Sequence, residues 1–90
     1  MLTSKAEIQT PNPHRLMKRL CKHWGHKFPV RLSENDGEIE LPMGVCRLHS
    51  GDTLKVELES NAEQMAKMQQ VVGDHLQRME GKETLVIEWR

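Results

Sequence analysis

Tyrosine is absent from the chain, phenylalanine occurs once, and tryptophan twice, as Phe28, Trp24 and Trp89. So sparse an aromatic complement argues against a stacking platform for single-stranded nucleic acid. Net charge is lacking too. The 13 Lys and Arg residues balance 13 Asp and Glu residues, leaving no whole-molecule field to steer the protein toward a polyanion. No apolar run approaches the ~20 residues that a bilayer span requires. Met1 to Thr10 has no apolar core of signal-peptide length. Only two cysteines occur, Cys21 and Cys46, and without a secretion signal they read as reduced thiols in the cytoplasm rather than as a disulfide. Also missing are a Ser/His/Asp pattern, a phosphate-cradling glycine loop, a dinucleotide fingerprint and paired Cys-x-x-Cys motifs.

The 90 residues present suffice for one domain, residues 1–90, with a small core. Internal room for a ligand is scarce, so a surface cleft or a shallow pocket beside a helix is the expected kind of site. Lys5 to Thr10 alternates polar and apolar residues and predicts a short strand. Pro11-Asn12-Pro13 breaks it, with Asn12 suited to a helix cap and Pro13 to the first helical position. Leu16, Met17, Leu20, Cys21 and Trp24 recur at helical spacing, so the first helix is expected over about Pro13 to Trp24, with Gly25 as its stop.

Four alternating segments follow: Phe28 to Leu32, Ile39 to Met43, Val45 to His49 and Leu54 to Leu58. Asn35-Asp36-Gly37 reads as the turn between the first two, while Gly44 and Ser50-Gly51-Asp52 supply the other turns. Ser60-Asn61-Ala62-Glu63 has the form of a capping box. Met65, Met68, Val72, Leu76 and Met79 then mark one face of a second helix. Leu85, Ile87 and Trp89 predict a closing strand. The expectation is a two-layer α+β sandwich, with two helices on one face of a mostly antiparallel six-stranded sheet in the order β-α-β-β-β-β-α-β. The other face, with Glu38, Glu40, Arg47, Lys55 and Glu57, should meet water.

The densest chemistry lies in Cys21-Lys22-His23-Trp24-Gly25-His26-Lys27-Phe28. At about 100° per residue, Cys21 and Trp24 share the apolar side of the first helix, while His23 lies about 160° from Cys21. His26 follows Gly25, and its direction is open. His75 falls on the apolar side of the second helix, so it can approach Cys21 if the two helices lie side by side. Cys21, His23, His26 and His75 are therefore the candidate ligands for zinc or iron. They lack the spacing of a zinc finger, and buried-core roles are the preferred reading for the thiol and for Trp24. A Cys21/His75 pair would also suit a thiol nucleophile and its base. No motif supplies acid, base and orienting group together, so a non-enzymatic protein is the preferred expectation. A third surface is the solvent side of the first helix, where Arg15, Lys18, Arg19 and Lys22 gather opposite a mostly acidic meander; with Trp24 they form the candidate ligand or partner surface.

These residues resemble a bacterial family known as domain of unknown function 2218. The resemblance rests on the strand–Pro–helix opening and on Cys21-Lys22-His23-Trp24 followed by His26-Lys27-Phe28. Gly44-x-Cys46-x-Leu48 and Asp74-His75-Leu76-x-Arg78 add to it. It spans nearly the whole chain, and departs at Met79, where relatives often carry an aromatic residue. The resemblance implies a small bacterial cytoplasmic α+β domain without an established activity. It also implies, through relatives attached to or encoded beside siderophore-interacting flavoproteins, a binding or accessory module in iron or siderophore metabolism. A protein partner in iron handling, no membrane, no nucleic acid, and a monomer or weak homodimer complete that expectation.

Overall fold

The computed structural model describes residues 1–90. Strand β1 (Leu2–Ile8) is followed by helix α1 (Pro13–Trp24), strands β2 (Val30–Leu32), β3 (Asp36–Leu41), β4 (Gly44–Ser50) and β5 (Leu54–Ser60), and helix α2 (Met65–Glu80). The strands form one antiparallel sheet in the order β1-β5-β4-β3-β2. The α+β class, the two helices and the antiparallel sheet agree with the sequence reading. The sheet has five strands, however, not six.

The expected closing strand is the difference. Leu85 is buried, and Ile87 and Trp89 are half-buried against the core, so their alternation is real. Their backbone goes elsewhere. The Gln77 side chain of α2 donates to the Glu83 carbonyl at 2.8 Å and accepts from the Leu85 amide at 2.7 Å. Only at the end does the segment reach β1, where Lys5 and Arg90 exchange two backbone hydrogen bonds at 3.1 and 2.8 Å. A glutamine thus takes the hydrogen bonds that a ladder would have used.

Alternation sets the layering. Ala6, Ile8, Ile39, Leu41, Cys46, Leu48, Leu54, Val56 and Leu58 turn to one face and are buried beneath Leu16, Met17, Leu20, Met68, Val72 and Leu76 of the helices. Helix α1 lies across β2, β3 and β4, and α2 lies over β5 and beside α1. The opposite face carries a charge row that crosses every strand. Arg31 stands beside Glu38, Glu38 beside Arg47, Arg47 beside Glu57, and Glu57 beside Lys5. Arg47 closes onto Glu38, Glu57 and Glu59 at 3.1, 3.3 and 3.6 Å. Opposite charges directly across a ladder contribute roughly 0.2–1 kcal/mol a pair.

Two local expectations are corrected. The β2–β3 turn is Ser33 to Asn35, closed by the Ser33 amide donating to the Asp36 carbonyl at 2.8 Å; Asp36 and Gly37 already belong to β3. Gly37 is small for a different reason: a Cβ there would sit 2.7 Å from Cys21 Sγ. Helix α2 has no side-chain cap at Gln64; Asn61 closes the turn before it, its Oδ1 accepting from the Gln64 amide at 2.9 Å. Ser60 ends β5 and donates to the Met43 carbonyl instead. No helix is long and apolar enough to cross a membrane.

Candidate functional site

Pro13 opens α1 and its apolar stripe faces the sheet. One turn of that stripe separates two environments. Cys21 is 1% exposed and lies over Gly37 of β3, close to Cys46 of β4. Burial pushes its thiol up to about 11. Burial, and secondarily the Cys21 charge, push Cys46 up further. Both thiols therefore rest protonated near neutral pH, the reverse of what a nucleophile needs.

Trp24, a turn later, points toward α2 instead. Its ring centroid is 4.7 Å from that of His75, and the His23 ring lies 5.5 Å from His75. His75 Nδ1 donates to the Val71 carbonyl at 2.7 Å, because a carbonyl can only accept; this sets the tautomer and leaves Nε2 as the acceptor. His26 is exposed beyond Gly25, on the side of α1 that borders β2.

The four candidate ligands do not gather. Cys21 faces the sheet, His23 and His75 meet beside Trp24, and His26 lies on the β2 flank. No group of three or more His, Cys, Asp or Glu side chains is arranged to hold a metal ion. The rings beside His75 are those of Trp24 and His23, while the Cys21 sulfur packs against Gly37 of β3. His23 and His75 could supply two donors to a metal, fewer than a structural or catalytic zinc site uses.

A second arrangement forms where α1 overhangs the edge of the sheet. A cleft of about 680 Å³ runs between α1 and β2. Its α1 wall is basic, built from Arg15, Lys18, Arg19 and Lys22 with His14 and His26, and its floor includes Cys21, Val30 and Leu32. No acidic side chain lines it. The hollow of about 630 Å³ on the open sheet face differs: Lys5, Arg47 and Lys55 there alternate with Glu7, Asp36 and Glu57. Arg19 has a further job. Its guanidinium donates to the Met79 carbonyl at 2.9 Å, in the last turn of α2, where a cation also meets the negative end of the helix dipole.

Residues 5–90 match the family described as uncharacterized protein conserved in bacteria (DUF2218). The chain belongs to this family. A solved structure similar to this chain is that of PA4090 from Pseudomonas aeruginosa, determined by NMR. It is 40% identical, with a TM-score of 0.82, over 100% of this chain and 96% of the other. No curated protein matches. The Cys21–Phe28 run that marks the DUF2218 resemblance is thus split in space: its thiol belongs to the core, its Trp24 and His23 to the helix–helix seam, and its Lys22 and His26 to the basic cleft. The participation of Val30 and Leu32 was missed in the sequence. Leu32 is 46% exposed on a three-residue strand that also borders four cations, an exposure that depends on the strand order and has no signal in the sequence.

Proposed function

We propose that this DUF2218 chain is a non-enzymatic binding module of the bacterial cytoplasm that takes an anionic protein surface into the cleft between α1 and β2. The observation that carries the reading is the single sign of charge in the cleft of a molecule whose net charge is zero. Four permanent cations at a concave, partly apolar surface create a local positive potential, which salt screens over about 8–10 Å. Enzymatic use is disfavoured by the protonated, covered thiols.

A role in iron or siderophore handling enters through the family resemblance, and makes a siderophore-interacting flavoprotein the partner class to test. Its acidic surface, rather than iron itself, would be the recognised feature. The test is an NMR titration with poly-L-glutamate, then with such a flavoprotein. Shifts should concentrate on α1 and β2, weaken with salt, and vanish in an Arg15→Glu, Lys18→Glu, Lys22→Glu variant whose melting is unchanged. Arg19 is left intact because it also secures α2. Shifts that persist in the charge-reversed protein, or that map to the open sheet face, would overturn the proposal.

A further inference from the structure

The two edges of the sheet are treated differently. At β1 the outward backbone of Lys5 is already engaged by Arg90. At β2 the ladder has one-sided bonding. The Glu40 amide donates to the Pro29 carbonyl, and the Ser33 amide to the Asp36 carbonyl. With Arg31 opposite Glu38 between them, positions 29, 31 and 33 face β3. In an antiparallel pair the alternate residues then face away. The N–H and C=O groups of Val30 and Leu32 are therefore directed out of the sheet edge. Neither residue has a backbone partner beyond the β2–β3 ladder.

Natural edge strands are usually blunted by shortness, charge or a covering segment. β2 is short, but its side chains toward the helix layer are apolar. Leu32 lies across from Gly37, and Val30 lies near Gly25 at the end of α1. Beside these free backbone groups runs the basic wall of α1, with no acidic residue to neutralise it. On the other face the alternating charge row ends at this same edge on a cation, Arg31, which makes no ion pair. An unpaired edge and a one-signed wall thus coincide.

We infer that β2 receives an extended segment of a partner protein as an additional strand, with acidic side chains at alternate positions turned toward α1. This rests on the reading of the cleft as an anion-binding surface, and deepens it by naming the conformation of what binds. A strand added about 4.8 Å from β2 sends every second side chain toward the helix layer, where Lys18, Lys22 and Arg15 line the cleft. Backbone bonds to Val30 and Leu32 provide attachment, and the side-chain alternation provides selection. A helical or globular acidic surface would satisfy the cations but leave the edge amides in water.

The test uses the full chain and three peptides. The first, Thr-Glu-Val-Glu-Val-Glu-Thr with blocked ends, should cause saturable shifts at residues 30–32 and slow the exchange of the Val30 and Leu32 amides. The second carries N-methyl groups at alternate residues on the bonding edge and keeps every charge; it should bind at least about tenfold more weakly, since two or more hydrogen bonds are lost. The third replaces each Glu by Lys and should not bind. Equal binding of the first two peptides overturns strand addition and leaves the anion-binding reading standing. Equal binding of the Lys peptide overturns that reading as well. Failure of the first peptide to saturate any shift at residues 30–32 overturns strand addition. Protection of the Val30 and Leu32 amides in protein alone, lost on dilution, overturns it in favour of a second copy of the chain on that edge.

Discussion

Replacing Gly37 by alanine places a methyl group 2.7 Å from Cys21 Sγ, with Met17 Cγ at 3.6 Å and Leu32 Cδ1 at 3.7 Å. Comfortable nonbonded separations are about 3.5–4.0 Å, so the first contact is about 1 Å too short while the other two sides are already filled. Gly37 has no positive φ, so the backbone accepts alanine, and the smaller entropy of the unfolded chain returns about 0.5–1 kcal/mol. Overpacking costs about 1–3 kcal/mol, which leaves Gly37→Ala net destabilised by up to about 2.5 kcal/mol. Cys21→Ala deletes one buried heavy atom, and should cost about 1 kcal/mol. Independent effects would sum to about 1–3.5 kcal/mol. If the thiol faces Gly37, the new methyl instead occupies the space that the sulfur vacates. The double variant should then be no less stable than Gly37→Ala alone, a coupling of about 1 kcal/mol or more. Urea unfolding followed by Trp24 and Trp89 fluorescence reads all four proteins. Additivity within about 0.5 kcal/mol would refute the placement of Cys21 over β3.

Two other outcomes follow from the same packing. The Cys21 thiol is raised from an ordinary 9.0 to about 11, so the folded state holds a proton that the unfolded state has released between those values. This contribution is fully present below pH 9 and is lost as pH rises toward 11, on the order of 2–3 kcal/mol in all. The urea midpoint should fall across that range more steeply in the native protein than in Cys21→Ala; parallel curves would contradict the burial of this thiol. Gln77→Ala removes both side-chain bonds that hold residues 83–85 to α2. It should cost about 1–2 kcal/mol and expose Trp89 to quenching while Trp24 stays protected; unchanged Trp89 quenching would show that the closing segment is held by other contacts.

Much of the fold was legible because its signals are local. Pro13 and the Leu16-to-Trp24 spacing bracket α1, and period-two alternation marks β3, β4 and β5. The closing segment shows the same alternation at Leu85, Ile87 and Trp89, yet alternation reports only which side chains face inward. Whether the backbone pairs with a strand or with Gln77 depends on a residue eight positions away from Leu85. Asp36-Gly37 resembles a turn, but the glycine is required by the passage of a helix above it. The candidate site was legible as a set of residues and not as an arrangement. Angles around α1 separate His23 from Cys21 correctly. They cannot say which neighbour lies under each side, so the sheet beneath Cys21 and the second helix beside Trp24 emerge only from the tertiary contacts. The basic wall was visible as Arg15, Lys18, Arg19 and Lys22, whereas its pairing with an open strand edge required the strand order.

Amide exchange of Val30 and Leu32, measured with and without the alternating Glu–Val peptide, tests the central claim most directly. Both amides should exchange freely in the protein alone and become protected as the peptide saturates the cleft. That protection should disappear in the Arg15→Glu, Lys18→Glu, Lys22→Glu variant. Unprotected amides at saturation, or protection that survives reversal of the α1 charges, would contradict the account of this cleft.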